Sequence, residues 1–504
     1  MTENEDDYRV YLEAGSGQDP HGTRPVESLP FCIGILGDFS GRGARPEPGE
    51  EEDWASRPLI RVTPENVLTF GGLSPSTVVQ GLPGEASSLS MIFQGMEDFH
   101  PDALFERLDL FKELRMARGR ILAGEGHGEG KGTKGEAREG ESPPEPGKRR
   151  GEAGDTGGGS LLDEVLQETG EDLDRYGSDL TDDLDGFIRR VVRPHAVRAP
   201  ADRTLELEAL DREIGSLMRA VMHHPSFQSL ESLWRSVVFL LSRVETTSSL
   251  RVYLVDVSRD ELAFDLLSTD EPTEWNLARA MLNPISPRGE EVRWAALLGA
   301  YDFGKDPDDI PLLQRIALLA ETAEIPFVAG GSPALAGCRS LHEAPDSRDW
   351  NDPVDDLWDA LRLSPEAGWV GLGAPGFLLR TPYGAEGAKT KGFAFEETPS
   401  HPHEYLWGNP AILWGVLCAR AFTRFGWEGL RPESRQGVEG LSMYVNSQGW
   451  GLSVEAALSH SAASRLAESG LMPVVGARDE SEVRFVRMSS TSTDGGALRA
   501  WWRQ

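Results

Sequence analysis

His401, His403 and Glu404 sit together directly before Tyr405-Leu406-Trp407-Gly408-Asn409. An HxHE run on an extended segment places both imidazoles on one side, and a metallohydrolase using these three residues is the chemistry it would serve. A metal site needs about three converging ligands, no further set stands out, and the spacing is not that of the HExxH helix, so a loop packed on the following helix is the reading preferred. Gly37-Asp38-Phe39-Ser40-Gly41-Arg42-Gly43 follows a strand-like run, as a phosphate loop would. It lacks the terminal GK[ST], so a structural turn is expected there. His223-His224-Pro225 closes a helical pattern, where a histidine suits the negative end of the dipole. Glu396 and Glu397 are adjacent, and on extended backbone they face opposite ways, which does not suit paired acid–base work. No GxSxG elbow and no CxxC occurs; Cys32, Cys338 and Cys418 lie far apart. The sequence therefore calls for no cofactor and no bound metal, and it reads as a non-enzyme.

The elements that would hold these residues fall into two blocks. Phe31–Gly37 reads as a buried strand, Pro58–Val62 and Ser88–Phe93 as further strands, and Tyr8–Leu12 as a short isolated one. Pro101 and Asp102 suit the start of a helix carrying Leu104, Leu108, Phe111 and Leu114 on one face. In the second block, Leu210–Val221 and Phe227–Leu241 are amphipathic helices. Leu250–Val257, Trp294–Gly299, Ile325–Ala329 and Trp369–Leu372 are apolar strand runs, and a helix is expected over Pro311–Glu324. Pro410–Phe425 is apolar on most sides and reads as a buried helix. The strand–helix–strand rhythm predicts an α/β fold with mixed sheets covered by helices.

Residues 124–160 are rich in Gly, Glu, Lys and Pro and read as a disordered linker. Leu161–Gly186 holds ten acids and one Arg, a net charge of −9, and Arg189–Arg198 is basic. The domain division expected is 1–122, a linker over 123–160, a connecting segment over 161–202, a second domain over 203–488 and a flexible tail over 489–504. The whole chain has 504 residues and a formal net charge of −32, which argues against nucleic acid and anionic membrane surfaces as partners. No secretory signal and no run long enough to span a bilayer is seen, so a cytoplasmic location without membrane insertion is expected.

Two longer stretches resemble known families. Leu29-Pro30-Phe31-Cys32-Ile33-Gly34-Ile35-Leu36-Gly37-Asp38-Phe39-Ser40-Gly41-Arg42, Arg61–Val67 and Met96-Glu97-Asp98-Phe99-His100-Pro101-Asp102 are similar to the small sheath subunit family (TssB, or VipA) of bacterial type VI secretion. Met222-His223-His224-Pro225-Ser226-Phe227-Gln228-Ser229-Leu230-Glu231-Ser232-Leu233-Trp234-Arg235 resembles the large sheath subunit family (TssC, or VipB). Pro326–Pro333, Arg380-Thr381-Pro382-Tyr383-Gly384 and Tyr405–Asn409 continue that resemblance, in the family's order. The resemblance implies a fusion of both subunits in one chain, built into a contractile sheath around an inner tube of haemolysin-coregulated protein. Other sheath subunits, baseplate components and an AAA+ unfoldase would be partners. It marks Asp38, Ser40, Arg42, Asp98, His100, His224, Pro225, Phe227, Glu231, Trp234, Arg235, Tyr383, Gly384, Trp407 and Asn409 as structural motif residues. Tyr8, Val10 and Leu12 would lie on a strand exchanged with a neighbour. The large-subunit resemblance stops near Met488, and Ser489–Gly496 reads as disordered. A non-polymerising cap or baseplate adaptor is therefore the alternative within the same machine.

Overall fold

The computed structural model describes residues 29–45, 54, 57–82, 88–123, 200–282, 292–353, 355–385, 387–430, 436–446 and 448–503. The strand at Tyr8–Leu12, the linker, the acidic segment and Arg189–Arg198 lie outside the described residues.

The strands are β1 (Phe31–Gly37), β2 (Ile60–Val62), β3 (Ser76–Gln80), β4 (Ser88–Ile92), β5 (Leu250–Asp256), β6 (Trp294–Phe303), β7 (Phe327–Gly331), β8 (Val370–Ala374), β9 (Phe377–Leu378), β10 (Trp407–Gly408), β11 (Tyr444–Val445), β12 (Gly451–Leu452), β13 (Leu471–Gly476) and β14 (Val483–Phe485). The helices are α1 (Pro101–Arg107), α2 (Lys112–Ala123), α3 (Pro200–Met222), α4 (Pro225–Leu241), α5 (Arg259–Leu267), α6 (Asn276–Leu282), α7 (Asp309–Ala323), α8 (Asp356–Leu363), α9 (Pro410–Phe425) and α10 (His460–Glu468).

Eight strands form one sheet in the order β14-β13-β8-β7-β6-β1-β5-β2. The inner strands pair in parallel, and β2 and β14 close the edges antiparallel. The continuous apolar runs read from the sequence are the consequence, because strands covered on both faces bury every side chain. Leu297 belongs to the core layer that contains α7, whereas Leu298 lies against Gly415 of α9. Adjacent residues of a strand point to opposite faces, so α7 and α9 cover opposite sides of the sheet.

The position of β1 is not apparent from its sequence. It lies between β5 and β6, with Phe31 opposite Leu250 through to Gly37 opposite Asp256. The division expected between 1–122 and 203–488 is therefore not the spatial one. One compact unit joins the described residues of 29–80 and 88–107 with those of 218–503, so the first block supplies an inner strand to the sheet of the second. The other unit comprises the described residues 81–82, 108–123 and 200–217. Within it, Arg118 Nε donates to Asp211 Oδ1 at 2.8 Å, and Leu114, Leu210 and Ile214 are buried.

Two expectations are corrected. The single helix after Pro101 is broken at Leu108, whose backbone is extended, and a 3₁₀ turn over Asp109–Phe111 precedes α2. The tail expected to be flexible over 489–504 is instead packed over its described residues, 489–503. Ser489, Ser490 and Thr491 are buried, and Thr491 N donates to Val370 O at 2.9 Å. Trp501 Nε1 donates to Trp294 O at 2.9 Å, and Trp502 Nε1 to Ala295 O at 2.8 Å. Small hydroxyl residues lower a segment's apparent hydrophobicity, yet here Thr491 Oγ1 donates to Ala367 O at 3.1 Å and Ser490 Oγ to Gly496 O at 3.2 Å. Trp501→Ala is expected to cost about 3 kcal/mol in urea unfolding, from lost packing against Trp427 and one orphaned carbonyl. A loss under about 1 kcal/mol would show that the tail is not integral.

Candidate functional site

Most of the motif residues converge where the first block meets α4. Trp234 is fully buried on α4, with Phe39 edge-on at 5.2 Å and Phe70 at 4.7 Å. Its Nε1 donates to Phe39 O at 3.0 Å. Phe93 stacks on Phe99 at 4.4 Å, and Phe227 meets Phe99 edge-on at 5.6 Å. These aromatic pairs join two segments that are more than a hundred residues apart in the chain.

The glycine-rich loop after β1 is a turn, as expected. Gly41 has φ +68°, and a Cβ there would lie 1.8 Å from Ser76 O, so only glycine fits. Asp38 caps the turn, accepting from Arg42 N at 2.7 Å and Gly43 N at 2.8 Å. Burial nevertheless pushes the Asp38 carboxyl above its usual range. Ser40 donates through both its backbone N (3.0 Å) and its hydroxyl to Asp256 at the end of β5. Arg42 Nε lies 3.7 Å from Asp256, and Arg57 pairs with Glu261. In open parallel sheets, ligands bind outside the carboxyl ends of the strands. At the ends of β1 and β5 these side chains are spent on one another instead.

The second cluster is a buried ion network. Glu231 of α4 is fully buried and accepts from Arg235 Nε at 2.7 Å and from Arg380 Nε at 2.8 Å. Arg380 also donates to Glu397 at 2.6 and 3.1 Å. Glu397 accepts from Tyr383 N at 2.9 Å and lies 3.4 Å from His223 Nε2. The Arg380 guanidinium sits 4.6 Å from the centre of the Tyr383 ring. Burial alone would raise both glutamates. Arg380 and Arg235 outweigh it at Glu231, and Arg380 with His223 outweighs it at Glu397, which falls to about 2. Burial works against the Arg380 charge, but the two carboxylates hold its pKa well above the ordinary value. Gly384, at φ +139°, lets the loop turn beside Glu396, which accepts from Ala385 N at 3.1 Å. Glu396 and Glu397 thus do face different partners.

The remaining motif residues hold backbone. His224 caps the start of α4, where its Nδ1 accepts from Ser226 N at 3.3 Å. This corrects the expected role at the end of the preceding helix; Pro225 fits the first turn of α4, and His224 is left to cap it. Asn409 caps α9 through Ala411 N at 3.0 Å and donates to Tyr301 O at 2.9 Å. Asp98 pairs with Arg107 and accepts from Gln94 N at 2.6 Å. His100 Nδ1 accepts from Asp102 N at 3.2 Å, and its ring meets Tyr383 edge-on at 5.0 Å. Trp407 Nε1 donates to Pro402 O at 2.7 Å, and its carbonyl accepts from Ser232 Oγ.

His403 lies on a 3₁₀ turn over Pro402–Glu404, and His401 caps its start on extended backbone, their rings parallel at 5.4 Å. Glu404 caps that turn, accepting from His401 N at 3.2 Å, and lies 3.8 Å from His223 Nδ1. Among the described residues, no three His, Cys, Asp or Glu side chains are grouped to hold a metal ion. No helix among them is long and apolar enough to cross a membrane.

This is a helix-covered α/β domain whose motif side chains are used to bind distant parts of one chain together. The family model described as VipB, EvpB/VC_A0108, tail sheath N-terminal domain, matches residues 205–492, more than half of the chain, and the chain belongs to this family. It is 30% identical over 305 residues to the type VI secretion system sheath protein TssC1 of Pseudomonas aeruginosa, covering 56% of this chain and 60% of that protein. Its N-terminal part is similar to the sheath protein TssB1 of the same organism, 28% identical over 103 residues, covering 19% of this chain and 58% of that protein. The chain therefore spans about three fifths of each relative. One polypeptide carries stretches similar to two separate sheath proteins.

Proposed function

We propose that the chain is a structural subunit of the contractile sheath of a type VI secretion machine, acting in the cytoplasm without catalysis. The observation that carries this reading is the place of β1. The TssB1-like part supplies an inner strand to the sheet of the TssC1-like part, so the two behave as one building block. Carrying both parts in one chain fixes their ratio at 1:1. Other copies, an inner tube of haemolysin-coregulated type, baseplate components and an AAA+ unfoldase are the partners this role requires. Tyr8, Val10 and Leu12 would add a strand to a neighbour's sheet.

Negative-stain electron microscopy of the concentrated protein tests the proposal. Regular hollow tubes are expected, and removal of residues 1–14 is expected to leave folded particles that no longer assemble. Discrete particles from the intact chain, alone and with a full-length large subunit, would point to a non-polymerising cap or adaptor. Tubes that survive the deletion would overturn strand exchange.

A further inference from the structure

A cleft of about 200 Å³ opens beside the C-terminal half of α4, with Met96, Val238, Phe239, Leu378 and Leu379 along its walls. Arg243 lies at its rim. The guanidinium stands 3.6 Å above the Phe239 ring and donates to Gly440 O at 2.8 Å. Arg420 Nε lies 3.5 Å from Arg243 O, and burial together with the charge of Arg420 lowers the Arg243 pKa. Among the described residues, no carboxylate forms a salt bridge with either arginine. Arg243 thus carries its charge at the edge of an apolar cleft, with the second cation Arg420 beside it, and an anion laid over this rim would be favoured.

The sequence holds a complementary segment. Leu161–Gly186 carries ten acids and one Arg and begins with Leu161, Leu162, Val165 and Leu166. An acidic peptide with aliphatic residues at one end matches a cationic rim over an apolar cleft. We infer that the Arg243 cleft receives the Leu161–Gly186 segment of a second copy of the chain. An aliphatic side chain enters between Val238 and Leu378, and the acids lie over the Arg243 rim. The cleft and its charge stand apart from the sheath reading; only the choice of a second copy as donor rests on it.

The test uses a fluorescent synthetic peptide of residues 161–186 and the intact protein, read by anisotropy. Saturable binding that weakens with added salt is expected. It should fall at least tenfold with Arg243→Glu, which reverses the rim charge. It should also vanish for a peptide whose acids are replaced by their amides, a comparison that does not depend on a protein variant folding. No saturable binding, or binding indifferent to both changes, would overturn the cleft assignment. Photo-leucine cross-linking of mixed light and heavy isotope copies then identifies the donor. Cross-links joining a light and a heavy chain are expected, and cross-links confined to single chains would overturn the second copy as donor. Absence of tubes with peptide binding intact would count against the sheath reading alone.

Discussion

Arg380→Met is expected to destabilise the protein by about 3–5 kcal/mol, because it leaves two carboxylates buried without their shared cation. Glu397 would keep His223 Nε2 at 3.4 Å, and Glu231 would keep Arg235 Nε at 2.7 Å. Urea unfolding at pH 7 measures the loss. The pH dependence separates this cause from lost packing. In the native protein Glu397 falls from its ordinary 4.5 to about 2, so its contribution is present above about 4.5 and is lost as the pH falls toward about 2. That contribution is roughly 3 kcal/mol. In Arg380→Met the stabilising cation is gone and burial dominates, so both carboxyls titrate above their ordinary values. The variant should then gain more stability than the native protein does as the pH falls from 7 to 5. Adding Glu397→Gln to Arg380→Met should restore part of the loss. A variant with native stability, or with an unchanged pH profile, would show that the network is not what holds the 380–397 loop to α4.

The sequence showed the pieces of this arrangement more readily than their meeting places. β1 was legible because Phe31–Leu36 is apolar without a break, and α4 because Phe227, Leu230, Trp234, Val237 and Leu241 keep helical spacing. What β1 pairs with was not legible, since parallel neighbours more than two hundred residues away leave no local signal. The same holds for Arg380 and Glu231, separated by 149 positions, although each stands in a stretch that the resemblance singled out. Glu397 was noticed for its acidic neighbour, whereas its role comes from Arg380 and Tyr383. The tail was misread because Ser489–Gly496 has the composition of a loop. Trp501 and Trp502 were its signal, since two adjacent indoles are costly to leave in water. His224 was read against the helix it ends, when the following Pro225 already pointed to the helix it begins.

Cutting the covalent linker should leave the two halves joined. With a protease site placed inside residues 124–160, the cleaved fragments are expected to co-elute in size exclusion at micromolar concentration. β1 is flanked on both sides, and Phe31, Cys32, Ile33 and Ile35 are wholly buried. Each large apolar side chain so buried contributes roughly 1.5–3 kcal/mol, to which the pairing along β5 and β6 adds. The linker's share is smaller. An effective concentration on the order of millimolar, against micromolar fragments, is worth about 4 kcal/mol. The cleaved pair should therefore unfold earlier by roughly that amount while remaining one particle. The large fragment made alone should behave differently. Without β1, strands β5 and β6 expose unpaired edges in the middle of the sheet, together with the apolar faces that β1 covered. Such edges pair with other chains, so the lone fragment is expected to aggregate and to be rescued by co-expression of residues 1–123. A soluble, monomeric large fragment would mean that β5 and β6 close on each other. The two halves would then be separate domains joined by a tether, and the reason for fusing them in one chain would have to be sought elsewhere.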